Sequence, residues 1–389
     1  MPKRGKDIDQ AVIVGLNTNK NQYHQDEASL DELSLLAETA RFSPVKKILN
    51  KRKRIDPTYY MGSGNARELR SITANNGINT VIFDFELSPV QIRNLEKLIK
   101  CRLITRTELI LDIFEKRAKT KEAKLQVELA TLEYSLPRLR HMWPHLNRLG
   151  GGIGTRGPGE KQLEMDKRRI SKRISKIKRD LVSVKNHRKV IRRNRSGKNK
   201  VALVGYTNAG KSSLLNTLSH SSLFTERRLF ATLDPATREV WLGDGLKALA
   251  TDTVGFIKRL PHTLIASFRS TLEEVKEADI LLHVVDISAP DVNERINAVN
   301  GVLREISAHT LPVLYIFNKA DLLNGRHIKA SFLNRYQNCV LVSARTGQGI
   351  DDLKKKLLEY FRDLEAGKGT PFEYSCTRTA DSPEYVKVD

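Results

Sequence analysis

Apolar runs and helical spacings alternate through the first 110 residues. Residues 11–16 and 79–84 are short apolar runs that predict buried strands, and residues 30–37 have the three-and-four apolar spacing of a helix. Ser88, Pro89 and Gln91 form a capping-box signature with proline at the first helical position, which predicts a helix start. This alternation predicts a small α/β domain over residues 1–110.

A glycine-containing stretch, residues 59–65, lies between these elements. Gly62 and Gly64 could bring the backbone close to a phosphate or a base, with Tyr59 and Tyr60 as stacking surfaces. A turn that leads into a helix explains the same residues more simply, and we favour that interpretation.

Residues 111–198 have a different pattern, because apolar side chains recur at alternating spacings of three and four. The two seams predict an antiparallel helical hairpin, which Pro137 and Pro144 should kink or shorten. The first seam comprises Leu125, Leu129, Leu132, Leu136, Leu139, Trp143 and Leu146, and the second comprises Ile170, Ile174, Ile177, Leu181, Val184 and Ile191. Between them, six of residues 150–159 are glycine.

The hairpin region is strongly basic. Residues 161–200 contain 17 Lys and Arg but only three acidic residues, a net charge of +14. A solvated helix face normally mixes the two signs, so we interpret this segment as an arm that binds phosphate backbone. The glycine-rich tip around Arg156 suits insertion into a narrow polyanionic cleft, and it equally suits a flexible connector.

A phosphate-binding loop opens the third region, residues 199–366. The apolar run 201–204 predicts a strand, residues 213–218 predict a helix, and the loop between them fits G-x-x-x-x-G-K-[ST]. In such a loop, backbone N–H groups and the helix N-terminus bind phosphate oxygens, the lysine reaches the β- and γ-phosphates, and the hydroxyl binds Mg²⁺. The loop residues are Gly205, Tyr206, Thr207, Asn208, Ala209, Gly210, Lys211 and Ser212.

Two further clusters follow in the order that a GTPase requires. The first predicts a mobile switch in which Thr232 completes the Mg²⁺ shell when the γ-phosphate is present. In the second, Asp252 would hold Mg²⁺ through water and the Gly255 N–H would sense the γ-phosphate. We expect Lys211, Thr232 and Gly255 to act in hydrolysis, with Ser212 and Thr232 as metal ligands. The clusters are Phe230, Ala231, Thr232, Leu233 and Asp234, and then Asp252, Thr253, Val254 and Gly255.

The last two clusters predict guanine recognition. The Asp321 carboxylate can accept hydrogen bonds from guanine N1–H and the 2-amino group, a pair that adenine does not offer. Asn318 and Lys319 would support the base and the loop, and a backbone N–H after the last strand would reach guanine O6. The residues are Asn318, Lys319, Ala320 and Asp321, and then Ser343, Ala344 and Arg345. Strand-like runs at 247–251, 280–285, 313–317 and 339–342 complete a doubly wound, mostly parallel sheet.

Two positions bear on the mechanism. Phe256 stands where Ras-like GTPases have the glutamine that orients the attacking water, so we expect slow hydrolysis without a partner. Asn208 occupies a position where some GTPases hold K⁺ with an asparagine oxygen, and an ordinary loop asparagine explains it equally well.

Overall composition agrees with a polyanionic partner. The 389 residues include 67 Lys and Arg and 45 Asp and Glu, a net charge of +22, which favours nucleic acid or an anionic membrane surface. Three widely spaced cysteines indicate neither disulfides nor a zinc site, and we expect a reduced cytoplasm. No signal-peptide pattern or membrane-spanning stretch is present in the sequence.

With these residues laid out, the sequence resembles the HflX family of ribosome-associated GTPases. The sequence motifs at 205–212, 230–235 and 252–257 are close to the corresponding motifs of the family. The motifs at 124–130, 151–154 and 157–160 are specific to this family. The resemblance implies an N-terminal region that binds the large ribosomal subunit, a hairpin loop directed at the peptidyl-transferase centre, and GTP hydrolysis stimulated by the subunit. It also implies a role in rescuing or splitting stalled ribosomes under stress.

The sequence therefore predicts a monomeric, cytoplasmic, Mg²⁺-dependent GTPase that binds the large subunit and its rRNA, with K⁺ as a further candidate ion. Two alternatives remain open at this point. One is an RNA-binding assembly or remodelling factor timed by GTP, and the other is a peripheral regulator on anionic membranes. Residues 367–389 are expected to form a loose tail.

Overall fold

The chain forms two compact units. A computed structural model describes residues 9–19, 23–138, 158–193, 197–219, 229–259, 264, 269–323, 336 and 338–367. One unit comprises Met1–Lys116 with Lys124–Val182, and the other comprises Arg117–Ala123 with Ser183–Asp389. The expected boundaries at 110, 198 and 366 stay predictions.

A parallel four-stranded sheet forms the core of the first unit, with strand order β2-β1-β3-β4. Residues 11–14 of β1 and 81–83 of β3 are fully buried apolar residues, and both strands lie where the sequence predicts them. The elements in chain order are β1 (Asp9–Asn17), α1 (Tyr23–Thr39), β2 (Phe42–Lys51), α2 (Ser63–Asn75), β3 (Thr80–Phe83), α3 (Pro89–Ile99), β4 (Arg102–Thr105) and α4 (Arg106–Arg117).

The predicted capping box and the predicted turn are both confirmed. Ser88 Oγ accepts a hydrogen bond from Gln91 N at 3.3 Å, and Gln91 Oε1 accepts one from Ser88 N at 2.9 Å. Residues 57–59 form a turn and Met61 a bend, and α2 begins two residues later at Ser63. The Tyr60 ring stacks on Phe85 with centroids 4.0 Å apart, so it packs within the domain.

The two seams pack against each other through helices α5 (Lys121–Ser135) and α6 (Pro158–Arg193). Their buried centre is Leu129, Ile174 and Ile177, flanked by other predicted seam residues on both helices. Helix α5 ends two residues before Pro137, as expected for a residue that cannot continue a helix. The continuation of the first seam after residue 138, the glycine-rich tip at 150–157 and the tail beyond 367 lie outside the described residues.

A six-stranded sheet forms the core of the second unit, with order β10-β9-β8-β5-β7-β6, in which only β6 is antiparallel to its neighbour. This confirms the doubly wound, mostly parallel fold. The elements are β5 (Asn199–Gly205), α7 (Lys211–Ser219), β6 (Ala236–Gly243), β7 (Leu246–Asp252), α8 (Arg269–Lys276), β8 (Ile280–Asp286), α9 (Val292–Glu305), β9 (Val313–Asn318), β10 (Cys339–Leu341) and α10 (Ile350–Glu365). The carboxyl ends of the parallel strands meet at one edge and bring distant polar residues together.

Candidate functional site

The loop between β5 and α7 encloses the Lys211 ammonium. Its Nζ donates to the carbonyl oxygens of Gly205 and Tyr206, both at 3.1 Å. Burial lowers the pKa of Lys211 to about 8, and the nearby Asp252 carboxylate opposes that shift. The ammonium therefore lies inside the loop, where an incoming phosphate would exchange its carbonyl partners for phosphate oxygens.

Only glycine fits at position 210, because the backbone has a positive φ there and the Asn318 side chain lies close to it. The φ of Gly210 is +92°, and a Cβ there would lie 2.3 Å from Asn318 Nδ2. Asn318 is buried at the end of β9, donates to the Ala209 carbonyl at 2.9 Å, and accepts from the Ala344 N–H at 3.0 Å. One amide thus connects the phosphate loop with the loop after β10.

Three oxygen-bearing side chains converge beside the loop. Ser212 Oγ donates to Asp252 Oδ2 at 2.5 Å, Thr232 Oγ1 donates to the same oxygen at 2.9 Å, and the two hydroxyls are 2.7 Å apart. Burial raises the pKa of Asp252, partly offset by Lys211. Its other oxygen, Oδ1, is buried with no hydrogen-bond partner among the described residues.

This arrangement fits Mg²⁺, which prefers carboxylate and hydroxyl oxygens and retains several waters. Ser212 and Thr232 would bind the ion directly, and Asp252 would bind through water. The ion, when bound, would neutralise charge on the β- and γ-phosphates. The protein's own contribution is to gather these oxygens and to place the Lys211 ammonium next to them.

The segment after Asp252 is joined to the phosphate loop by backbone hydrogen bonds. Thr207 N donates to Phe256 O at 2.7 Å, and Phe256 N donates to Gly205 O at 3.1 Å. A Cβ on Gly255 would lie 2.9 Å from Thr207 Cα and 3.1 Å from Lys211 Nζ, so only glycine fits there. The Phe256 side chain is buried, so it packs in the core and offers no group to an attacking water.

The other end of the site contains the residues expected to read the base. Asp321 Oδ1 accepts from Ser343 Oγ at 2.7 Å, and Arg345 approaches its other oxygen at 4.0 Å. Lys319 donates to Asp286 Oδ2 at 2.6 Å at the end of β8. These contacts fix the Asp321 carboxylate and the Lys319 chain in defined positions.

Many of the predicted residues line one cavity, and several of the others lie in the loops beside it. Asp252, Asn318 and Ser343 are buried side chains that hold neighbouring loops, while Leu233 and Val254 are buried apolar residues. The Asp234 carboxylate is bound instead by Lys119 and Thr120. The cavity is lined by Thr207, Asn208, Gly210, Lys211, Ser212, Ser213, Phe230, Ala231, Thr232, Thr253 and Gly255. The roles assigned to these residues stay predictions.

A charged cluster that the sequence did not reveal holds the segment after Phe256. Lys258 Nζ binds Asp291 Oδ2 at 2.8 Å and Glu294 Oε2 at 2.5 Å, and its backbone N donates to Tyr206 Oη at 2.8 Å. Burial lowers the pKa of Lys258, but the bonds to Asp291 and Glu294 outweigh it and raise the pKa above its ordinary value. Arg295 lies 5.0 Å above the Tyr206 ring. No motif marks these positions, because their partners are far apart in sequence.

Helix α6 presents a second candidate surface. Arg169, Lys172, Lys176 and Arg179 are exposed and spaced by three, four and three residues, so they form one stripe. At 100° per residue the stripe lies roughly 150° around the helix from the apolar seam. None of the four has an ion pair among the described residues. By contrast, Arg173 binds Glu128 at 2.6 and 2.7 Å, and Lys178 binds Glu133 at 2.8 Å.

Fold and site together define a P-loop GTPase: a strand–loop–helix phosphate site, two oxygen-rich switch segments and an aspartate at the base end, all at one edge of a doubly wound sheet. Family models match residues 27–115 as a GTP-binding GTPase N-terminal region, 117–195 as a GTP-binding GTPase middle region, and 200–319 as a 50S ribosome-binding GTPase. The chain belongs to the HflX family of GTPases and is a GTP hydrolase, which confirms the resemblance read from its motifs.

Relatives in this family match along most of the chain. The GTPase HflX of Alkalihalophilus pseudofirmus is 49% identical over 361 residues, covering 92% of this chain and 84% of that protein. Those of Caldanaerobacter subterraneus and Escherichia coli are each 44% identical, covering 94% and 90% of this chain and 84% and 82% of theirs. A crystal structure of SsGBP with GDP shares the fold at 24% identity and a TM-score of 0.50, covering 92% of this chain and 99% of that one.

Among the described helices, none has both the length and the apolar character needed to cross a bilayer.

Proposed function

We propose that this GTPase is Mg²⁺-dependent, binds the large ribosomal subunit through its basic arm, and hydrolyses GTP faster when bound there. We further propose that it acts in rescue or splitting of stalled ribosomes, in the cytoplasm, with rRNA as the contacted surface. The ribosomal partner is supported by the description of the matching GTPase family model, which is of a 50S ribosome-binding GTPase. The stripe on α6 is the observation in this chain that favours an RNA partner.

The stripe is suited to phosphate backbone because, within the part of the chain that the structure describes, its four cations form no ion pair. Arg173 and Lys178 flank the seam and pair with glutamates of α5, whereas Arg169, Lys172, Lys176 and Arg179 face solvent. From Arg169 to Arg179 the stripe extends over roughly 15 Å along the helix axis, which is long enough to contact several successive phosphates of a nucleic acid. Cations in a row release counterions when they bind a polyanion, and this release supplies a large share of the affinity for nucleic acid.

The activity test is GTP hydrolysis by the purified chain with and without 50S subunits in K⁺ buffer containing Mg²⁺. Strong stimulation supports the proposal, and its absence contradicts it. Immature ribosomal particles and anionic liposomes in parallel assays separate the two alternatives, an assembly factor and a membrane regulator. Replacing K⁺ by Na⁺ tests the ion at Asn208, since equal rates in the two salts would exclude it.

A matched pair of variants tests the surface. The variant Lys172→Gln/Lys176→Gln removes two charges from the stripe, and Arg173→Gln/Lys178→Gln removes two from the seam edges of the same helix. We expect the first to weaken 50S binding and to reduce the slope of log affinity against log salt by about 1 per lost phosphate contact. The second should retain most of that slope. Equal effects of both variants would show that only net charge matters.

A further inference from the structure

The carboxylate of Asp234 is bound by a segment that precedes the whole GTPase domain in sequence. Asp234 Oδ2 accepts from Lys119 N at 3.1 Å and from Thr120 N at 3.4 Å. Asp234 Oδ1 accepts from Thr120 Oγ1 in a further, short hydrogen bond. All three residues belong to the second unit, because Arg117–Ala123 clusters with the GTPase domain. Three donors from two consecutive residues thus converge on one side chain.

Asp234 lies two residues after Thr232, whose hydroxyl contacts Ser212 and Asp252 at 2.7 and 2.9 Å. A two-residue step spans at most about 7 Å, so fixing Asp234 restricts where Thr232 can lie. Leu233 between them is buried, which adds a third point of attachment. Residues 232–234 are therefore held at one end by Ser212 and Asp252, which contact Thr232, and at the other by Lys119 and Thr120, which bind Asp234.

We infer that Asp234 is a positioning residue for GTP hydrolysis and that Lys119 and Thr120 are its anchor. The anchor holds Thr232 within reach of the Mg²⁺ ion that Ser212 and Asp252 fit. In this proposal Asp234 acts through Thr232, not through a contact of its own with the nucleotide or the ion. Helix α5 begins at Lys121, directly after the anchor, and continues to Ser135, so the anchor is the backbone stretch that leads into this helix.

A purely structural role is the competing explanation. Thr120 Oγ1 also accepts from Ala123 N at 3.1 Å, so the hydroxyl caps the start of α5. An acidic side chain near a helix N-terminus is stabilising for the same reason. A cap would affect stability alone, whereas a positioning role must affect the triphosphate state selectively, since a switch threonine binds the ion only when the γ-phosphate is present.

The test measures release of two fluorescent nucleotides, mant-GMPPNP and mant-GDP, from full-length protein in saturating Mg²⁺. In Thr120→Val, loss of a hydrogen bond worth about 1 kcal/mol should speed release of the GMPPNP analogue about 3- to 10-fold and leave mant-GDP release within twofold. Thr120→Ser, which keeps the hydroxyl, should behave like the unmodified protein. The Mg²⁺ concentration for half-maximal GTP hydrolysis should rise in Thr120→Val by a similar factor.

Two further variants distinguish a positioning role of Asp234 from a general loss of stability. Asp234→Ala should speed mant-GMPPNP release at least as much as Thr120→Val, because it removes all three hydrogen bonds to the anchor. The double variant should be no worse than Asp234→Ala, because the Thr120 hydroxyl then has no carboxylate to bind. Asp244→Asn is the matched acidic control, since Asp244 forms an exposed pair with Arg362 at 2.6 Å. If Thr120→Val lowers only the melting temperature, or speeds release of both nucleotides equally, the inference is wrong.

Discussion

At the scale of single residues, Asp321 is the side chain that we predict to select the base. Its carboxylate is held by Ser343 at 2.7 Å, so it can accept two hydrogen bonds from guanine at little entropic cost. Asp321→Asn replaces one acceptor by a donor, which fits xanthine, whose 2-oxo group accepts. We expect GTP affinity to fall by roughly 100-fold or more and XTP to become the preferred substrate, measured by competitive nucleotide binding.

Ser343→Ala is the control for that change. It removes the hydroxyl that orients Asp321 but leaves both carboxylate acceptors, so the affinity should fall while guanine remains preferred over xanthine. A xanthine preference in Ser343→Ala, or an unchanged preference in Asp321→Asn, would contradict the assignment of Asp321 as the base-reading residue.

We expect His283 to make the stability of the GTPase domain sensitive to acid. It is buried on β8, with its ring 5.1 Å from the Tyr315 ring, and its Nδ1 has no hydrogen-bond partner among the described residues. Burial, with a smaller effect from Lys211, lowers the pKa of His283 to about 3. The unfolded chain, with an ordinary pKa near 6.5, binds this proton first, so stability is lost as pH falls below about 6.5.

The expected loss is roughly 1.4 kcal/mol of unfolding free energy per pH unit, down to the folded pKa. His283→Leu should remove this contribution, so its unfolding free energy should fall less steeply between pH 6.5 and 5.0 than that of the unmodified protein. Urea unfolding followed by circular dichroism measures it. The exposed His24→Asn should leave the slope unchanged, and an equal slope in His283→Leu would disprove the effect.

Most residues of the nucleotide site could be predicted because each lies in a short motif at a strand end. Lys258, Asp291 and Glu294 could not, because their contacts join a switch segment to a helix more than thirty residues away. Thr120 was equally hidden, since its partner Asp234 is 114 residues distant. Short motifs indicate the residues that face a ligand. They do not indicate the distant residues whose hydrogen bonds and ion pairs keep the motif residues in position.

At the scale of elements, the strands that sequence patterns missed are those with mixed exposure. β2 is an edge strand in which only Phe42 is buried, so its sequence lacks the apolar run that marks β1. β6 is an antiparallel edge strand that buries only Val240 and Leu242 while Trp241 between them is exposed. Burial on both faces creates the pattern that sequence analysis detects, and β2 and β6 lack it.

The packing of the segment after Asp252 limits which side chain can reach an attacking water. Phe256 is buried and its backbone is paired with Gly205 and Thr207, so a polar side chain at this position would enter the core instead of the cavity. Phe256→Gln should therefore lower stability by about 1–3 kcal/mol without raising the intrinsic hydrolysis rate. Thermal unfolding and single-turnover hydrolysis test the two parts. A tenfold faster rate would show that the glutamine reaches the water.

Helix packing in the arm depends on its seam. Ile177 is fully buried between α5 and α6, so Ile177→Ala should destabilise this packing by about 2–5 kcal/mol. Hydrogen exchange of α6 amides should show reduced protection. Val182 on the same helix is 58% exposed, and Val182→Ala should change protection little. Equal protection in both variants would mean that the seam does not hold the helices together.

At the scale of the whole molecule, charge and catalysis are separated along the chain. The net charge is +22, of which residues 161–200 contribute +14, whereas the nucleotide site is built from buried groups such as Asp252 and Asn318. Ionic strength screens exposed charges over about 8–10 Å but affects buried pairs much less. Salt should therefore act on partner binding and spare the chemistry of the isolated protein.

This separation predicts how stimulation by the large subunit depends on salt. With K⁺ fixed and NaCl added, the 50S concentration for half-maximal stimulation should rise steeply, while hydrolysis by the protein alone should change less than twofold. The dependence should be shallower in Lys172→Gln/Lys176→Gln, because fewer counterions are released on binding. If added salt slowed the isolated protein and the stimulated reaction in parallel, the effect would lie in the nucleotide site, and the arm would not be the surface that senses RNA.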